Sequence, residues 1–205
     1  MKMELEGYFP FQITLKKEIS KLKNIMFFSK GVGGILSSQI DGELAKRFSF
    51  SLEDFQACIS DKPSEKLVRT VDFIGDVSFL TTLTPSELVE ELFFFSGSVK
   101  RPESPSFSKA QMEHFQTNLR HTIEEFRCIE VLSRQDCHGD HLTDEELSSR
   151  IGWSLENFKG LVAQEPYPPL VDAMGFICSF SFGLGISPSD LVNRLFNWNR
   201  SKVYW

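Results

Sequence analysis

The chain has 205 residues, 41% of them hydrophobic and 24% charged, and a formal charge of −6. This composition suits a folded chain and argues against a disordered one. The charge divides evenly, with 11 Lys+Arg and 14 Asp+Glu in residues 1–95 and the same again in 96–205, so neither half is a basic nucleic-acid-coating module.

Taken in chain order, the apolar spacing predicts a first helix over residues 15–28, a second over 41–48, a third over 51–60, a fourth over 65–80 and a fifth over 85–95. Thr84-Pro85-Ser86-Glu87 has the pattern of a capping box with Pro in the first helical turn, which opens the fifth helix. Residues 96–110 contain Gly97, Pro102, Pro105 and several serines and read as a linker.

The same grammar then returns. A long helix is expected over 114–132, followed by a polar turn, and the Thr143-Asp144-Glu145-Glu146 capping box opens the next helix to about Ile151. Gly152 suits a left-handed stop and Ser154 caps a helix over 155–163. Pro166, Pro168 and Pro169 interrupt the chain before an apolar helix over 170–182. Gly183 and Gly185 are expected to end it, and Ser187-Pro188 to open a last helix through Trp198.

This recurrence is a duplication. Between Glu43 and Phe93, 20 of 51 residues are identical to those 103 positions later, without a gap, against about three expected from average usage. At a spacing of 104 the match extends upstream through Phe11-Gln12, Leu15, Ile19, Ile25 and Ser29. A period near 100 residues is far longer than a solenoid repeat, so each copy is expected to be a small domain with its own core: 1–95, the 96–110 linker, and 111–205.

The four cysteines (58, 128, 137 and 178) occupy no equivalent positions in the two copies. That speaks against a shared disulfide framework and for reduced thiols in a cytoplasmic setting. Glu4 and Glu6 break any signal-peptide apolar core, and the longest apolar stretch, 170–186, contains Asp172 and reads as a buried helix.

Leu142-Thr143-Asp144-Glu145-Glu146-Leu147-Ser148-Ser149-Arg150-Ile151-Gly152-Trp153-Ser154 resembles the helix-turn-helix pattern of lambda-repressor-like (Cro/repressor, XRE-type) domains. Leu184-Gly185-Ile186-Ser187-Pro188-Ser189-Asp190-Leu191 resembles the start of that family's last helix. The first copy departs from both, with Phe48-Ser49-Phe50 for Ile-Gly-Trp and Thr81-Thr82-Leu83-Thr84 for Leu-Gly-Ile-Ser. The resemblance implies an all-α fold of two tandem five-helix domains, in which the third helix of each would enter a DNA major groove.

On those third helices Leu52, Phe55, Ile59 and Leu155, Phe158, Val162 are expected to face inward. That leaves Glu53, Asp54, Gln56, Ala57 and Glu156, Asn157, Lys159, Gly160 outward. Acids dominate both faces, and no Arg fork is present for guanine.

Two readings compete. One is a transcriptional regulator that binds DNA as a covalent pseudo-dimer, with Lys16, Lys17, Lys21, Lys23 and Lys30 as phosphate contacts, although a solvated helix face is the more ordinary account of these lysines. The other is a protein-interaction module (an anti-repressor, an antitoxin-like partner or an inhibitor) whose acidic face meets a basic surface.

No nucleophile with a base and no phosphate loop is recognisable, so neither catalysis nor a cofactor is expected. Cys137, His138, Asp140 and His141 could supply zinc ligands, but the first copy has no counterpart and a polar turn is the preferred account. Phe94, Phe95 and Trp198, with Phe93 and Phe196, exceed what one helix face can bury and are expected to close an interface between the copies or in a homodimer.

Overall fold

The computed structural model describes residues 8–29, 37–93, 102, 104–106, 108–133 and 142–196. Among them the fold is all-α, with ten helices and no strand: α1 (Phe9–Ser29), α2 (Ser37–Arg47), α3 (Leu52–Ile59), α4 (Glu65–Thr81), α5 (Pro85–Leu92), α6 (Lys109–Ser133), α7 (Asp144–Arg150), α8 (Leu155–Val162), α9 (Pro168–Leu184) and α10 (Pro188–Phe196). The spacing seen in the sequence is kept in three dimensions, since α3 and α4 have counterparts in α8 and α9 displaced by 103 residues at both ends.

Local chemistry sets the boundaries. Both capping boxes form: the Thr84 and Thr143 hydroxyls accept from the amides of Glu87 and Glu146, whose carboxylates return the bond to the cap amide. Pro168 and Pro169 open α9 rather than preceding it, because the first helical turn has no amide bonds to lose. Gly185, at φ +74°, ends that helix, whereas Gly183 lies inside it. Helix α6 starts at Lys109, within the segment read as linker.

The helices of the two halves pack reciprocally. The most extensive contact joins α4 to its own counterpart α9, and the next joins α5 to its counterpart α10. Outside that centre α1 lies on α3 and crosses to α10, while α6 lies on α8 and crosses to α5. Such reciprocity is that of a two-fold, self-complementary interface contained in one chain.

Buried side chains of both halves form one cluster, where the repeat period suggested a core for each copy. The reason is visible in α9, where ten of 17 residues are buried, more than one stripe of a helix resting on its own half would cover.

The shared core is fitted across the halves by size. The Phe48 ring lies 4.8 Å from that of Phe180, and a Cβ placed on Gly183 would come within 2.1 Å of the Phe48 ring. At the two equivalent positions stand Ile151 and Leu80, both buried. A large residue on one side thus accompanies a small one on the other, as close-packed interiors require.

No single helix among the described residues is long and apolar enough to cross a membrane. Helices α9 and α10 pass that test only as a pair, bent by 101°.

Candidate functional site

Each third helix is entered through a tight turn. Between α7 and α8, Gly152 adopts φ +68° and the Trp153 amide donates to the Ser148 carbonyl at 2.9 Å. The Ser154 hydroxyl then accepts from the Asn157 amide at 3.2 Å. In the first half Ser49 takes the same left-handed conformation at φ +55°, the Phe50 amide donates to Ala45 at 2.8 Å, and Ser51 caps α3.

The inward faces of the third helices are Phe55 with Cys58, and Phe158 with Leu161. Burial pushes the Cys58 thiol up to about 11, against a hydrogen bond to Ser64 that acts in the opposite direction. Leu52, expected inside, is 45% exposed. As the first residue of α3 its side chain leans back over the preceding turn and away from the core.

Outward, Glu53, Gln56 and Ala57 are exposed on α3, as are Glu156, Asn157 and Lys159 on α8. Asp54 is half-buried and accepts a hydrogen bond from Lys66 at 2.8 Å. That bond, with a second from Ser51, holds its carboxyl below the ordinary range.

The lysines of the first helix point mainly to carboxylates of their own chain. Lys16 pairs with Asp61 at 2.5 Å, Lys21 with Glu18 at 2.6 Å, and Lys23 with Asp41. Lys17 is exposed and has no carboxylate partner among the described residues. Lys30 lies outside the described residues.

Aromatic pairs seal the crossings between halves. Phe93 meets Phe115 at 4.8 Å, and the equivalent Phe196 meets Phe11 at 5.2 Å. Two of the fifth-helix aromatics therefore do close an interface between the copies; Phe94, Phe95 and Trp198 lie outside the described residues. So do Cys137, His138, Asp140 and His141, and no cluster of three metal-ligating side chains occurs among the described residues.

Sequence reasoning missed where the turn aromatics go. Trp153 crosses to α4, lying 6.2 Å from Phe73, and its Nε1 donates to Asp76 at 2.8 Å. Its counterpart Phe50 crosses to α9, lying 6.3 Å from Phe176. The only signal in the sequence was that a large ring stands at this turn in both copies. Comparison with known protein families, with curated proteins and with solved structures finds no match to this chain.

Proposed function

We propose that this protein is a non-enzymatic protein-interaction module. In this reading two copies of a lambda-repressor-like helix-turn-helix unit, residues 1–95 and 111–205 with a 96–110 linker, present the exposed faces of α3 and α8 to a basic surface on a partner. The observation that carries it is the pair Glu53 and Glu156, both exposed and identical in the two copies; Asp54 adds to the first on α3, while on α8 the exposed Lys159 stands near the second. The pairing of Lys16, Lys21 and Lys23 with carboxylates of the chain gives those lysines a role that needs no phosphate, which supports the same reading.

The test is an affinity capture with the full chain and with the Glu53→Lys plus Glu156→Lys variant, helicity being checked in both. A partner held by the wild type and lost by the variant supports the reading; undiminished recovery by the variant removes it.

The turn around Gly152 with its Ser154 cap favours a second reading, a transcriptional regulator that binds DNA. It requires saturable gel shifts at low salt that weaken on Lys159→Glu and Lys17→Glu. Absence of any shift ends it.

A further inference from the structure

Beside the exchange of sizes at Phe48 and Gly183, the two halves differ where the turn aromatics meet the α4–α9 contact. On one side of the α4–α9 contact, Trp153 donates to Asp76 at 2.8 Å and lies against Phe73, while the Tyr8 hydroxyl donates to Asp72. Tyr8 is buried, so rings and carboxylates of the chain itself fill the space. At the equivalent positions on the other side stand Phe50, Ser179, Phe176, Met112 and Gly175. Indole has become phenyl, phenol has become a thioether, and the two carboxylates have become a hydroxyl and a hydrogen.

What results is a cleft of about 510 Å³, lined among others by Phe50, Lys66, Arg69, Met112, Gly175 and Ser179. That volume lies in the range of small-molecule sites. A Cβ placed on Gly175 meets nothing within 4 Å. A glycine inside a helix costs about 1 kcal/mol relative to alanine, and no close approach among the described residues accounts for this one. Pro105 and Ser106 form one wall, held there because the Ser179 hydroxyl donates to the Pro105 carbonyl at 2.8 Å.

We propose that this cleft binds one planar aromatic monocarboxylate, its ring against Phe50, Met112 and Gly175 and its carboxylate at Lys66 and Arg69. The ring would restore the volume that Tyr8 and Trp153 supply on the opposite side. Lys66 already lies 4.8 Å over one face of the Phe50 ring, so a carboxylate bound there would meet the cation next to that ring. Its present partner is Asp54, and that of Arg69 is Glu65, in pairs with side chains 43–76% exposed. Such pairs stabilise by less than about 1 kcal/mol, so either cation can exchange its partner for a ligand at little cost. Glu65 and Asp172 line the same cleft and balance the charge of Lys66 and Arg69, so a single carboxylate meets less repulsion there than a phosphate dianion would.

The experiment is a calorimetric titration of the full chain with indole-3-acetate as probe, and with neutral indole as control. One site per chain is expected, with indole-3-acetate bound more tightly than indole, and Lys66→Ala plus Arg69→Ala reducing it to the level of indole. Phe50→Trp, Met112→Tyr, Gly175→Asp and Ser179→Asp together copy the filled side into the cleft and should weaken binding more than about tenfold. Gly175→Leu alone should do the same, and it keeps the test decisive should the fourfold variant not fold. No saturable binding by the wild type, two sites per chain, or unchanged binding by a folded Gly175→Leu variant overturns the proposal.

Discussion

Gln12 and Cys58, 46 residues apart, are joined by a 2.7 Å hydrogen bond from the Gln12 side-chain amide to the Cys58 carbonyl. The same nitrogen donates to Ser60 at 3.0 Å, and the amide oxygen accepts from Ser64 at 3.4 Å. Gln116 repeats the arrangement, donating to Leu161 and Ala163 and accepting from Tyr167 at 2.9 Å. Each glutamine is 1% exposed and ties the first helix of its half to the turn that closes the third. Gln12→Leu keeps the volume but strands buried carbonyls and an amide. A loss of about 2–3 kcal/mol is expected from urea unfolding, and an unchanged midpoint would show the clamp to be idle.

The Phe48–Gly183 fit makes a coupled prediction. Gly183→Ala drives its Cβ into the Phe48 ring and should cost about 2 kcal/mol or more. Adding Phe48→Ile to Gly183→Leu transplants the Ile151 and Leu80 solution and should recover most of the loss. A double-mutant cycle with no coupling energy would contradict the shared packing.

Two residues of the first half hold left-handed backbone without being glycine: Ser49 at φ +55° and Thr82 at φ +58°. Their counterparts are Gly152 and Gly185. For Thr the branched Cβ makes this conformation costly, by about 1–2 kcal/mol, partly offset by the greater unfolded freedom of glycine. Thr82→Gly should therefore raise stability by about 0.5–1 kcal/mol in thermal unfolding. A lowered Tm would reject the strain.

Glu18 couples the halves electrostatically, accepting from Arg194 at 2.7 Å and Lys21 at 2.6 Å. Burial raises its carboxyl pKa, but the Lys21 hydrogen bond and the Arg194 charge outweigh that, so it lies below the ordinary carboxylate value. A lowered folded-state value means that the stabilisation is complete above the unfolded-state pKa and is lost as pH falls through the folded one. Glu18→Gln should thus cost about 1 kcal/mol at neutral pH, discounted for the exposure of Arg194, and nothing in strong acid. A difference that does not change with pH would exclude the ion pair as its source.

Because α1 crosses to α10 and α6 to α5, neither half contains all the surfaces that bury its own first helix. Residues 1–98 and 99–205, expressed apart, should each lack cooperative unfolding. Mixed, they should regain helical circular dichroism. Independent two-state unfolding of either fragment would disprove the shared core.

Much of this was legible in residue order. The capping boxes, the Gly152 and Gly185 turns and the amphipathic spacing are local, acting within four residues of one another, and they place the capped helix ends closely, whereas α1 and α6 begin six and five residues before the apolar spacing marks them. The duplication was equally plain, and it foretold that the helices would come in pairs, of which α3 and α8, and α4 and α9, have equal lengths. Helix α9 shows the limit: its apolar excess marked burial without naming the surface that would cover it. Leu52 shows another, since it has the same first helical position and apolar spacing as Leu155, yet it is exposed where Leu155 is half-buried.

By itself, then, the amino-acid sequence determined that the chain is helical, that it is written twice, and that both third helices carry acid outward. Only the tertiary structure decided that the copies exchange contacts around α4 and α9, that Trp153 spends its indole on Asp76, and that Phe50 and Gly175 leave a cleft where its counterpart is filled. The physical reason is range. Caps and turns are satisfied by neighbours in sequence, whereas packing against a counterpart 103 residues away depends on the shape of both surfaces at once.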